Sequence, residues 1–378
     1  MGRSMHQWIW QQKKWPGFTW DEGGLSPLLS RARKQQGQLL GMARLLDNSL
    51  SLEAQAQILA EDGFNTSAIE GERLDMDSIR SSVARHLGLP IAGLPHPSRS
   101  VDGLVDVLLD ATREYAAPLD GDRLCRWQAA LFPSGQSGLF LVRTGALRGD
   151  EPMRVVSGAA GREKIHFEAP PRDILAREVS RFITWFNAPP KELDGLLRAG
   201  LAHLWFVTLH PFEDGNGRLA RALTDMAICQ DEQRPVRLFS LSAQIMRERN
   251  AYYDVLERTQ RGGLDVTPWL AWFLEQVNGA CESAEATVGK VLDKAKFWLR
   301  HQNIVLNERQ RKVLNKLLDA GADGFTGGMN TRKYVSLTKT SRATAYRELA
   351  DLVEKGCLLQ TGAGRSVSYV IQLAQGAG

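Results

Sequence analysis

Apolar positions recur at helical spacing over most of this chain. Between residues 25 and 60 they fall at Leu28, Leu29, Leu39, Leu40, Leu45 and Leu46 among helix formers, which predicts mostly helix. The run from Gly63 to Ser67 reads as a break and restart, and Pro90, Gly93, Pro95 and Pro97 predict a loop over residues 88–98. From Ser100 to about Val277 the pattern is helical again, with one exception. Around Val155, Val156 and Ile165, β-branched residues flank a Gly-Ala-Ala-Gly run, which predicts a β-hairpin with a flexible tip over residues 153–167. Helix is expected over residues 174–186, from about Asp194 to Leu209, and from Thr267 to about Arg300. After Asn307 the order reads helix (308–318), Gly-rich loop, helix (332–337), a helix capped by Ser341 and running to Glu354, then an alternating stretch near residues 366–371. Before all of this, Trp8, Trp10, Trp15 and Trp20 crowd around Pro16, a density of aromatics that predicts an anchoring segment packed on something else.

With 378 residues and 43% hydrophobic content, the chain is long enough for two or three domains, each with its own core. A formal charge of +4 argues against a partner chosen by bulk charge, so any basic patch is local. Cys125, Cys229, Cys281 and Cys357 are far apart, with no C-x-x-C pair, and read as reduced, buried thiols rather than a zinc site or disulfide framework. The N-terminus lacks an apolar signal region and no apolar run reaches the roughly 18 residues needed to cross a bilayer, so the expectation is the cytoplasm and no membrane partner.

The chemistry concentrates between His210 and Arg221. Proline at 211 disfavours the α region for His210, so the helix carrying Leu197, Leu201 and Leu204 must end there and display the imidazole. Gly215 and Gly217 permit a backbone that turns successive N–H groups toward one point, and a new helix starts with its positive end facing that point, making an anion cradle. On that helix Arg218, Arg221 and Asp225 share a face. Phe212 would anchor the loop in the core, and Asp214 sits where a carboxylate could hold a metal bridging phosphates. Each feature alone has a plainer reading: a cap, a turn, a solvated ion pair. Their order in one loop reverses that weighting. His203, two turns earlier, reads as a packing histidine.

These residues resemble the Fic signature H-P-F-x-[DE]-G-N-G-R-x-x-R, matched at His210, Pro211, Phe212, Asp214, Gly215, Asn216, Gly217, Arg218 and Arg221. The resemblance implies a protein adenylyltransferase, moving AMP from ATP to a Ser, Thr or Tyr hydroxyl of a target protein, with self-modification as one outcome. It implies His210 as the general base, Asp214 as the Mg²⁺ ligand, and Gly215, Asn216, Gly217, Arg218 and Arg221 as phosphate ligands; Asn250, Tyr252 and Tyr253 would border the adenine pocket. Glu213 holds the signature's variable position and is assigned no role. The hairpin would be the target-binding flap, pairing with the target's main chain. Another nucleotide donor, such as UTP or GTP, is the near alternative.

Upstream, Thr66, Glu70 and Gly71 resemble the inhibitory motif [ST]-x-x-x-E-[GN] of Fic proteins, which implies that Glu70 pairs with Arg221 and competes with a phosphate for one guanidinium. The same glutamate supports AMP removal in some relatives. The plainer alternative is a capping box at a helix start, Ser67 with Glu70. The aromatic opening also resembles the region preceding that motif in a subset of the family.

From His301 onward, eleven basic residues face six acidic ones. This segment resembles a winged helix, with Arg342, Thr344, Arg347 and Arg365 as candidate DNA contacts, although such modules also dock proteins or dimerise. The expected architecture is mainly α: an N-terminal helical region with the inhibitory motif over 1–95, a Fic core with a β-hairpin flap over 96–300, and a winged helix over 301–378. A homodimer is compatible with the resemblance. The alternative from another class is a DNA-binding transcriptional regulator whose Fic core senses nucleotide without turnover.

Overall fold

The computed structural model describes residues 8–44, 46, 48–90, 93–158, 162, 164–320, 328–362 and 366–372. Two compact units emerge. One holds residues up to Gly41 together with Gln55–Ala284; the other holds Met42–Ala54 and the chain from Glu285 onward.

The chain is mainly helical. In order it forms α1 (Glu22–Ala43), α2 (Asn48–Ile69), α3 (Met76–Leu87), α4 (Arg99–Arg113) and α5 (Gly121–Leu131). Two short ribbons follow, β1 (Gln136–Ser137) with β2 (Phe140–Leu141), and β3 (Arg154–Ser157) with β4 (Lys164–Glu168). Then come α6 (Arg172–Asn187), α7 (Gly195–Leu209), α8 (Asn216–Glu232), α9 (Leu241–Arg247), α10 (Arg249–Gln260) and α11 (Thr267–Arg300). Helix α7 is mostly apolar, and every residue from Leu196 to Leu209 is buried, as a central helix requires. It packs along α8, which in turn packs on α4.

The hairpin forms where the alternating pattern placed it. β3 and β4 pair antiparallel with a bulge: Val155 faces Phe167 and Val156 faces Ile165, leaving His166 as the extra residue. The β1–β2 ribbon was not expected, because two-residue strands carry no readable period. The aromatic opening packs as predicted: Trp8 meets Phe167 edge-on at 5.3 Å, the Trp10 indole donates to the Glu168 carbonyl at 2.8 Å, and the Trp15 indole donates to Glu178 at 3.0 Å.

Two local expectations are corrected. Helix α2 runs unbroken through Gly63, which packs beside Ile79; a Cβ there would stand 3.4 Å from Ile79 Cγ2, an ordinary contact. Ser67 and Glu70 do not open a helix. They lie where α2 ends, the Ser67 carbonyl accepts from the N–H groups of Glu70 and Glu72, and Gly71 turns out with φ +85°. No capping box forms, because the helix's orphan groups there are carbonyls.

In the second unit, α12 (Glu308–Ala320), α13 (Thr331–Thr338) and α14 (Arg342–Glu354) precede the antiparallel pair β5 (Leu358–Thr361) and β6 (Ser368–Ile371). Val313, Leu314, Tyr334, Leu349 and Tyr369 make its core, and Met329 bridges to Tyr369 beside the pair. The helix, helix, helix, hairpin order agrees with the sequence pattern. Among the described residues no helix is long and apolar enough to cross a membrane.

Candidate active site

Helix α7 ends at His210, which adopts the left-handed region (φ 48°, ψ 57°) rather than the extended one that Pro211 favours. Two groups hold this turn. The Arg148 guanidinium donates to the His210 carbonyl at 2.8 Å and to the Pro170 carbonyl, while its own N–H donates to the Pro211 carbonyl at 3.0 Å. Phe212 is fully buried, the anchor expected. The imidazole Nδ1–H donates to the Val207 carbonyl at 3.1 Å, since a carbonyl can only accept, and this leaves the Nε2 lone pair to take a proton. Burial lowers the His210 pKa below its ordinary value, and the Arg148 charge adds to that, outweighing Val207, Glu70 and Asp214.

Gly215 caps α8 with φ +90°, a conformation that glycine adopts freely, and no side chain caps the first turn. Asn216 clamps the loop from inside: its amide donates to the Phe212 carbonyl at 2.8 Å and accepts from the Phe212 N–H at 3.0 Å. Its side chain is therefore a strut, and the open N–H groups of the helix start are what face outward. Gly217 is the tighter of the two loop glycines. A Cβ there would lie 2.0 Å from Glu70 Oε1 and 3.3 Å from Arg221 Nη1. Glu70 is thus seated on the helix N-terminus, 2.7 Å from Arg221 Nη2. Thr66 completes the clasp, its hydroxyl accepting from Arg221 Nε at 2.6 Å and its carbonyl from Nη2 at 2.9 Å. Arg221 Nη1 remains buried without a partner. Arg218 lies over the Phe132 ring and pairs with Glu72 at 3.0 Å; Asp214 is 3.9 Å away.

The loop forms one wall of a cleft of about 570 Å³. The opposite walls are the flap, through Val155, Val156, Ser157 and His166, and α10, through Arg249, Tyr252, Tyr253 and Glu257. Tyr252 is buried and bonded to His203 at 2.9 Å, whereas the Tyr253 hydroxyl and Arg249 both donate to the Ile69 carbonyl, at 3.1 and 2.8 Å. The start of α8 and the His210 imidazole therefore line one cavity, with Glu70 at its edge and Arg221 behind it, a set suited to holding phosphates beside a proton acceptor.

A model described as the Fic/DOC family matches residues 118–228. This chain carries a Fic domain. A second model, described as a domain of unknown function (DUF4172), matches residues 8–89, ahead of the Fic domain. The protein adenylyltransferase Fic of Culex quinquefasciatus is 32% identical over 111 residues, 29% of this chain and 20% of that protein. The one from Nematostella vectensis is 30% identical over 106 residues, 28% and 23% of the two chains. The chain thus spans about a fifth of the length of these relatives. Among solved structures, a Fic family protein from Desulfovibrio desulfuricans G20 aligns over 96% of this chain and 99% of its own, with TM-score 0.56 and 18% identity. A Fic domain containing signaling protein from Bacteroides thetaiotaomicron aligns over 68% and 97%, with TM-score 0.52 and 15% identity. At such identities they establish a shared fold.

The fold brings His210, Asp214, Gly215, Asn216, Gly217, Tyr252 and Tyr253 to one cleft, with Arg218 and Arg221 behind it and Thr66, Glu70 and Gly71 arriving from α2. Asn250 is exposed and is not among the residues lining it; Arg249 is. Asp225, placed by spacing beside the arginines, is instead buried against Arg237 at 2.5 Å. His203 is a packing histidine bonded to Thr224 and Tyr252, and burial pulls its pKa down to about 3. In the second unit, Arg342 and Arg347 are exposed on α14 with Tyr346, Thr344 serves the Ser341 cap, and Arg365 lies outside the described residues. Sequence reasoning missed Arg148, Glu72 and Glu213, which accepts from the Arg143 N–H at 2.8 Å. Glu72 stood two residues past Glu70 and could have been weighed; a lone arginine in a loop gave no signal.

Proposed function

We propose that this chain is a Mg²⁺- and ATP-dependent protein adenylyltransferase held in check by Glu70. The carrying observation is that His210, its Nε2 left to take a proton, lines the same cleft as the start of α8. A target hydroxyl delivers its proton to His210 Nε2 as its oxygen attacks the α-phosphorus; the bond to the bridging oxygen breaks and pyrophosphate leaves, its charge met by the Asn216 and Gly217 N–H groups and the arginines. Asp214, in the cleft wall beside the start of α8, would be the protein ligand of the metal. That fits Mg²⁺, which takes one or two carboxylates plus phosphates and would neutralise charge developing there. The relatives named protein adenylyltransferases support the reaction class. Catalysis is assigned to residues 96–300 and restraint to residues 1–95.

The restraint follows from one guanidinium serving two acceptors. While Glu70 and Thr66 hold Arg221, a γ-phosphate has no seat there. Label from α-labelled ATP with Mg²⁺, added to lysate as a source of hydroxyls, should enter the lysate proteins strongly with Glu70→Gly, weakly with wild type and not with His210→Ala. Absence of label in Glu70→Gly with ATP, UTP and GTP alike would overturn the reading. The exposed Arg342, Tyr346 and Arg347 on α14 favour a second reading, a winged-helix DNA-binding regulator; ATP-dependent operator binding without labelled product is its signature.

A further inference from the structure

On the flap side of the cleft lies a second acid–base array. Ser157, the last residue of β3, donates its hydroxyl to His166 Nε2 at 2.6 Å, and His166 Nδ1–H donates to Glu257 Oε2 at 2.5 Å. The tautomer is fixed by chemistry: the carboxylate can only accept, so Nδ1 carries the proton and Nε2 is left to receive one. Glu257 is held from two sides, by Arg261 at 3.1 Å and Lys164 at 3.8 Å. The bulge that leaves His166 out of the β3–β4 register is what turns the ring from the ladder toward α10. All three side chains line the same cleft as His210. Ser157 is exposed, and Gly158 beyond it, at φ +107°, ends the strand at the hydroxyl.

A serine whose proton is already shared with an imidazole, itself oriented by a carboxylate, is an activated nucleophile. We infer that Ser157 is an internal acceptor of the nucleotidyl group, with His166 as its own general base. The inference rests on the nucleotidyl-transfer reading and names an acceptor for it. The Ser157 oxygen bonds to the α-phosphorus of bound ATP, the bond to the bridging oxygen breaks and pyrophosphate leaves. The serine proton passes to His166 Nε2, and the imidazolium so formed is stabilised by Glu257. Ser157 needs no proton transfer to His210, so the two acceptors in this cleft depend on different histidines.

The test uses the full chain carrying Glu70→Gly, Mg²⁺, ATP and lysate, with AMP located on peptides by tandem mass spectrometry. AMP is expected on Ser157, gone in Ser157→Ala, lowered about 10²- to 10⁴-fold in His166→Ala and retained in His210→Ala, while lysate labelling shows the opposite dependence on His210. Lysate labelling with Ser157 unmodified overturns the inference and leaves the transfer reading intact. Ser157 labelling that survives His166→Ala but disappears in His210→Ala overturns the role given to His166. No AMP on any protein overturns both.

Discussion

The contact between Glu70 and Arg221 sets the energy scale of the proposed restraint. A hydrogen bond to a charged partner contributes about 1.5–3 kcal/mol, and about 1.4 kcal/mol is tenfold in an equilibrium. Glu70→Gly should therefore raise label incorporation roughly 10- to 100-fold, measured as initial rate at fixed ATP. A second prediction concerns pH. His210 must be neutral to accept a proton, and burial together with Arg148 lowers its pKa. The acidic limb of kcat/KM should accordingly fall below about 6.5 and the profile be flat above neutrality; a midpoint above 7 would contradict that environment. Much of this site was legible because its signature is contiguous: nine residues in one loop needed no tertiary knowledge. What could not be read was what each group touches. Asn216 spends its side chain on Phe212, and Asp225 turns to Arg237, because spacing gives the face of a helix and not the neighbour waiting there.

At the scale of elements, the flap is short, two-stranded and exposed at Val155, Val156 and Ile165, so on its own it is barely stable. It is held from outside. Trp8 packs on Phe167, Trp10 bonds the Glu168 carbonyl, and Arg261 donates to the Ile165 carbonyl at 2.6 Å while stacking over Trp8. Trp8→Ala should cost about 3 kcal/mol of stability and make the flap the first site of limited proteolysis, seen as a lower Tm with early cleavage between β3 and β4. Alternation and glycines located the hairpin, and tryptophan density announced an anchor, but not for what. Helix α2 differs from the pattern at Gly63 for the same reason: a glycine packed inside a helix has the same letter as one that ends a helix.

The whole molecule divides in a way no local pattern announces, since Met42–Ala54 cluster with the chain after Glu285. The first unit carries an acid-sensitive core in His203, buried between Thr224 and Tyr252 with its pKa down to about 3. A folded pKa below the unfolded value of about 6.5 means the unfolded chain binds the proton first, so stability declines as pH falls from 6.5 toward 3. From pH 7 to 5 the loss from this group should be about 2 kcal/mol by urea titration, and absent in a His203→Gln chain. The pairing of Arg218 with Glu72, and of Arg221 with Glu70, carries a kinetic consequence. Two cations that would draw a polyanion from solution are each neutralised at contact distance, so the resting cleft exerts little long-range pull. Nucleotide capture by the wild type should proceed at an on-rate nearly independent of salt between about 0.02 and 0.2 M, while Glu70→Gly combined with Glu72→Gln should capture faster and lose that advantage steeply as the Debye length shortens. Stopped-flow binding of a fluorescent ATP analogue would separate a cleft that waits for a nucleotide from one that attracts it.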